Sequence, residues 1–119
     1  MGEIKIVRIY EHVQPAGYRI LVDRMWPRGI SKTKAALDEW DKQIAPSSEL
    51  RKWFNHEDVK FPEFRAKYLK QLKENLDSPA FVQKVKNELT KGDVLFLYGA
   101  KNLKHNQAVV LKEYVENLL

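Results

Sequence analysis

The chain contains no cysteine, which excludes thiol catalysis, cysteine-ligated metal and a disulfide framework, and fits a reducing cytoplasm. Long apolar runs are also missing. Lys5, Arg8 and Glu11 interrupt the N-terminus, so neither a membrane span nor a signal peptide is expected, and the expected location is cytoplasmic. The five glycines are scattered singly, leaving no glycine-rich phosphate loop, and there is no serine-centred nucleophile elbow. Three histidines, at positions 12, 56 and 105, have no metal-ligand spacing; no bound metal and no cofactor are expected.

What remains is 119 residues, 44% hydrophobic and 31% charged, enough for one core and too few for two, so residues 1–119 are expected to form a single domain. The formal charge of +5 is unevenly spread. Residues 1–30 carry 5 basic and 3 acidic groups, 31–59 carry 5 and 6, 60–91 carry 8 and 4, and 92–119 carry 3 and 3. Most of the excess therefore falls between Lys60 and Lys91. There Lys67, Lys70, Lys73, Lys84 and Lys86 alternate with Glu63, Glu74 and Glu88, the ordinary pattern of a solvated helix face.

Periodicity predicts a strand over Ile4 to Tyr10 and a second over Tyr18 to Asp23, whose consecutive apolar residues imply cover on both faces. Only seven residues separate the two, too few for a helical crossover, which favours antiparallel or non-adjacent pairing. Ser31 is placed to cap a short helix through Ala36, and Leu37 to Ile44 reads as a polar third strand. Pro46-Ser47-Ser48 opens a short helix through Phe54, and Phe61, Phe64, Tyr68, Leu69 and Leu72 follow helical spacing behind Pro62. Ser78-Pro79 reads as another cap-plus-proline start, with Gly92 placed as a stop. Val94 to Tyr98 is apolar throughout, and Asn106 can cap a last helix. The expected fold is α/β, a small mostly parallel or mixed sheet of three to four strands flanked by helices.

In open α/β sheets ligands bind outside the carboxyl ends of the central strands. Two segments leave such strands here. The first, Asp23-Arg24-Met25-Trp26-Pro27-Arg28-Gly29, carries two arginine forks suited to carboxylate or phosphate, a tryptophan able to stack on a base, and Asp23 as a general-base candidate. An internal salt bridge and a core plug account equally well for these residues. The second segment offers Lys101 as a point charge, His105 as acid or base, and Asn106 as a hydrogen-bonding group at a helix start, where an ordinary cap is the simpler role. If the two strands are parallel neighbours, both segments face one pocket. His56 and His12 read as surface residues.

The string Gly17-Tyr18-Arg19-Ile20-Leu21-Val22-Asp23-Arg24-Met25-Trp26-Pro27-Arg28-Gly29 is long and specific. With Trp40, Ala45-Pro46-Ser47, Leu50-Arg51-Lys52-Trp53-Phe54, His56, Leu97-Tyr98, Ala100-Lys101 and His105-Asn106, it resembles the YeaO-like branch of an uncharacterised domain-of-unknown-function family of DUF 488 type. The likeness spans nearly the whole chain and implies a small bacterial or archaeal α/β domain with no agreed activity. Longer members of the wider family carry a cysteine-containing segment near the later loop, so a thiol-dependent role does not transfer.

The residues favour a small-anion site for phosphate, nucleotide or carboxylate: Arg24, Trp26, Arg28, Lys101 and Asn106 would bind, with Asp23 and His105 as catalytic candidates if the protein is an enzyme. The competing reading is a nucleic-acid or protein-binding module using the Lys-rich helices of residues 60–91. It ranks second because acidic residues interleave with the lysines and no nucleic-acid motif is present.

Overall fold

A computed structural model describes residues 2–119. In chain order the elements are β1 (Ile4–Arg8), β2 (Tyr18–Leu21), α1 (Lys32–Ala35), β3 (Glu39–Trp40), α2 (Ser48–Phe54), α3 (Phe61–Glu74), α4 (Ser78–Leu89), β4 (Val94–Tyr98) and α5 (Gln107–Glu116). The four strands form one sheet in the order β1-β4-β2-β3, and every neighbouring pair is parallel. This is the expected α/β architecture.

β1 and β2 are non-adjacent, as their short connection requires, and they are parallel rather than antiparallel. The link over residues 9–17 must return along β1 and step across two strand spacings of about 4.8 Å. Nine extended residues reach about 30 Å, so no helix is needed. The vacant position between β1 and β2 is filled by β4, whose five residues are all buried. Each of them is apolar or aromatic because both faces of a central parallel strand are covered.

The two faces are covered unequally. On one side Ile4, Ile20, Val22, Phe96 and Tyr98 pack with Phe54, Phe64, Tyr68, Phe81, Val85 and Leu111 from the helices. The other side is thinner: Val7, Leu21, Leu95 and Leu97 meet Ile9, Ile30 and Ala35, with Tyr10, Trp26 and Leu37 at the margin. Loop residues and the single turn of α1 therefore do the work of a helical layer there.

Several local expectations need correction. β1 ends at Arg8 rather than Tyr10, and β2 ends at Leu21 rather than Asp23. The third strand shrinks to Glu39–Trp40, followed by a 3-10 turn at Lys42–Ile44. Its acidic residues find a partner across the edge, where Lys84 Nζ lies 2.5 Å from Glu39 Oε1 and 3.4 Å from Asp41 Oδ2. Ser78 does not cap α4; Asp77 occupies the cap position and makes no side-chain cap bond. Ser78 Oγ instead donates to the Leu72 carbonyl at 2.6 Å, tying α4 to α3. Ser31, Ser47 and Asn106 do cap α1, α2 and α5 through their side chains.

Phe96 is fully buried, with its ring centroid 5.7 Å from that of Phe81. Truncating it removes contacts from the central strand that rigid neighbours cannot refill. Phe96→Ala is expected to lower the unfolding free energy by about 3–5 kcal/mol, measured by urea denaturation.

Candidate functional site

β2 and β4 run parallel in register from Tyr18↔Val94 to Leu21↔Leu97, and the Val22 N–H still donates to the Leu97 carbonyl at 3.0 Å. The chain after β2 and the chain after β4 consequently emerge side by side. A cavity of about 230 Å³ opens there, lined by Asp23, Arg24, Met25, Trp26 and Pro27 from the first segment and by Gly99 and Ala100 from the second. The start of α5 contributes Gln107, the loop after β1 Tyr10, and the α2 region Pro46, Arg51, Phe54 and His56, with Phe64 behind. A larger groove of about 680 Å³ follows the free edge of β1. It runs along backbone and scattered surface side chains, and the smaller cavity is where polar groups converge among aromatic walls.

Asp23 is the centre of this arrangement. Its Oδ2 accepts from the Gly99 N–H at 2.8 Å, and its Oδ1 accepts from Gln107 Nε2. One carboxylate thus ties the end of β2 to the end of β4 and the first turn of α5. Trp40 Nε1 donates to the Asp23 carbonyl at 2.8 Å. Burial pushes the Asp23 carboxyl up to about 6, against the opposing pull of the Gly99 and Gln107 hydrogen bonds and the positive charge of Arg51. A Cβ at Gly99 would sit 3.2 Å from Asp23 Oδ2, so any side chain there would displace the carboxylate by a few tenths of an ångström.

Arg24 lines the cavity while holding backbone. Its Nε donates to the Pro46 carbonyl at 3.0 Å and its Nη2 to the Ala45 carbonyl at 3.2 Å, pinning the segment that leads into α2. Trp26 is half-buried, donates from Nε1 to the Ile30 carbonyl at 2.7 Å, and meets Trp40 edge-on with centroids 5.3 Å apart. The tryptophan therefore presents part of its ring to the cavity and spends its polar end on its own loop.

The other sequence-based candidates are not among the residues that line the cavity. Arg28 and Lys101 are exposed; the Arg28 carbonyl accepts from the Tyr10 hydroxyl at 2.8 Å, which fastens the loop. His105 stacks on Phe61 at 4.5 Å, with Nδ1 3.1 Å from Asp58 Oδ1. Asn106 is buried with both side-chain ends engaged. Its Oδ1 accepts from the Val109 N–H at 3.0 Å, and its Nδ2 donates to the Asn102 carbonyl at 2.9 Å.

In their place α2 supplies Arg51 and, just beyond its end, His56. Arg51 makes no side-chain hydrogen bond or ion pair among the described residues. The helix ends in two successive left-handed residues, Asn55 at φ 47° and His56 at φ 57°. Asparagine and histidine are among the side chains that adopt that conformation most readily, and the two residues turn the chain sharply at the end of α2.

A family profile described as "Inactive DUF488-N3 subclade" matches residues 3–119. The chain belongs to that family, DUF488-N3i. It is 44% identical over 116 residues to the uncharacterized protein YeaO of Escherichia coli K12, covering 97% of this chain and 98% of YeaO. It is also 43% identical over 70 residues to the uncharacterized proteins Rv3073c of Mycobacterium tuberculosis and Mb3100c of Mycobacterium bovis, 58% of this chain and 59% of each relative. No solved structure matches it.

Within this DUF488-N3i chain, the spacing of Arg51 and Phe54 was the available signal for the missing side of the cavity. Three residues apart on a helix, they share a face. Reading α2 only for its buried stripe of Leu50, Trp53 and Phe54 conceals the cation beside it. Gln107 carried no comparable signal, since its role depends on α5 starting next to Asp23.

Because burial raises the Asp23 carboxyl above its unfolded value near 3.8, the folded state holds that proton more tightly. Stability from this group is present below pH 3.8 and is lost as pH rises through about 6. The unfolding free energy of Asp23→Asn relative to the parent should therefore shift in the variant's favour by up to about 3 kcal/mol between pH 3.5 and 7.5. Paired urea titrations across that range check this, and other titrating groups cancel in the difference.

Proposed function

We propose that this chain binds a small organic anion, a phosphate or carboxylate, in the cavity at the carboxyl ends of β2 and β4, and performs no covalent chemistry on it. The observation that carries the reading is Arg51, a cation without a side-chain partner among the described residues, on the wall of a cavity that also holds His56 and the aromatic faces of Trp26 and Phe54. Arg51 is exposed; unlike the exposed Arg28 and Lys101 it borders the cavity, and an arginine fork beside aromatic side chains suits carboxylate and phosphate oxygens. At about 230 Å³ the cavity is smaller than the roughly 300–1,000 Å³ of drug-sized sites, which limits the ligand to a metabolite-sized body.

Binding without turnover is supported by the fate of the groups that would have to react. Both Asp23 oxygens accept internal hydrogen bonds, so Asp23 serves as an organiser. No cysteine is present, and the family description itself carries the word inactive. Arg24 contributes its charge and holds the wall in place.

Thermal melts with millimolar inorganic phosphate and small carboxylates test the reading, since a ligand that binds only the folded state raises the melting temperature by mass action. A rise of several degrees is expected for the parent, reduced to baseline in Arg51→Ala. No rise with any anion sinks the proposal.

The second reading, nucleic-acid binding by the Lys-rich helices, draws on one feature. The Trp53 ring lies under Lys67 Nζ at 4.2 Å and Lys60 Nζ at 5.1 Å. Against it, two of the five lysines of the stripe are paired, Lys67 with Glu63 and Lys84 with Glu39 and Asp41, and neighbouring Lys60 pairs with Glu57, which interrupts the stripe at those points. Fluorescence anisotropy with single-stranded RNA and DNA is expected to show no binding at 50 mM salt. Affinity there that falls steeply by 200 mM would reinstate the alternative.

A further inference from the structure

Asp23 and Arg51 line the same small cavity and make no hydrogen bond to one another, although Arg51 is near enough to favour the Asp23 charge. A carboxylate has about four lone-pair sites. Gly99 N–H occupies one on Oδ2 and Gln107 Nε2 one on Oδ1, so acceptor capacity remains on a half-buried group. A bare anion drawn in by Arg51 would meet this carboxylate as a like charge. The conflict disappears when the ligand brings its own donor, because the acid is then paired at the moment the anion is bound.

We infer that the cavity selects a two-headed ligand: a small organic acid or phosphate bearing a hydroxyl or ammonium group beside its anionic end, with Arg51 taking the anion, Asp23 accepting from the donor, and Trp26, Phe54, Phe64 and Met25 covering a short apolar body. This rests on the anion-binding reading and adds the second recognition element. Sites that hydrogen-bond a ligand donor discriminate against analogues lacking it, here because a donor-free anion faces the Asp23 charge with only its two internal partners to offset it. The cavity volume of about 230 Å³ favours a body of a few carbons over a complete nucleotide.

A matched series on the intact protein decides the matter: 4-methylpentanoate, 2-hydroxy-4-methylpentanoate and leucine, which differ only in hydrogen, hydroxyl or ammonium beside the carboxylate. Propyl phosphate and glycerol 3-phosphate form the corresponding phosphate pair. Isothermal titration is expected to show at least about tenfold tighter binding for the donor-bearing member of at least one set, a difference of about 1.4 kcal/mol. The arm that binds tightest identifies ammonium or hydroxyl, carboxylate or phosphate. Asp23→Asn should erase the preference while the donor-free anion binds as well or better. Equal affinities across every set in the parent overturn the two-headed ligand and leave the anion site standing. Absence of binding by all five compounds and by inorganic phosphate overturns both. The parent series is decisive even if Asp23→Asn does not fold.

Discussion

The position of β4 between β1 and β2 is the constraint on which the other features depend. The link between the first two strands is too short to carry a helix, so these strands cannot be neighbours in a standard crossover, and a slot is left in the sheet. A strand from the far end of the chain fills it. Because that strand is surrounded on both faces and both edges, it must be apolar throughout, and Val94 to Tyr98 satisfies this. Its insertion also dictates where the ends of the strands lie. The exits of β2 and β4 are brought together, although Asp23 and Gly99 are 76 residues apart.

Asp23 ties that adjacency together. Its carboxylate receives the first free N–H after β4 and the side chain of the first residue of α5, and its carbonyl receives the Trp40 indole. A charged group in this position is costly to desolvate, and its raised proton affinity reflects that cost. The loop around it is held by further side chain to backbone bonds: Arg24 to Ala45 and Pro46, Trp26 to Ile30, Tyr10 to Arg28. The Asp-Arg-x-Trp-Pro-Arg string is thus largely a device for rigidity. The cation on the cavity wall without an internal partner among the described residues, Arg51, comes from α2.

Much of the architecture was legible before the structure. Long helices with clear apolar spacing, such as α3 and α5, and the capping residues Ser31, Ser47 and Asn106 carry local signals that tertiary context reinforces. The weak third strand was less legible, because its acidic residues are compensated by Lys84 from α4, a partner no local reading supplies. Ser78 misled for a similar reason. A serine before a proline looks like a cap, yet its hydroxyl found the Leu72 carbonyl of the preceding helix. In the site, Asp23, Arg24 and Trp26 were legible as residues, while Arg28, Lys101, His105 and Asn106 have their chemistry spent elsewhere or face solvent.

By itself the sequence determined the fold class, the absence of cysteine chemistry, the caps of α1, α2 and α5 and the segments that leave the central strands, because each follows from composition or from spacing within a few residues. The tertiary structure alone decided which cation faces the cavity, which arginine is spent on backbone, and that one aspartate joins β2, β4 and α5. Those outcomes depend on distances between residues far apart in the chain, and such distances exist only once the strands have taken their order.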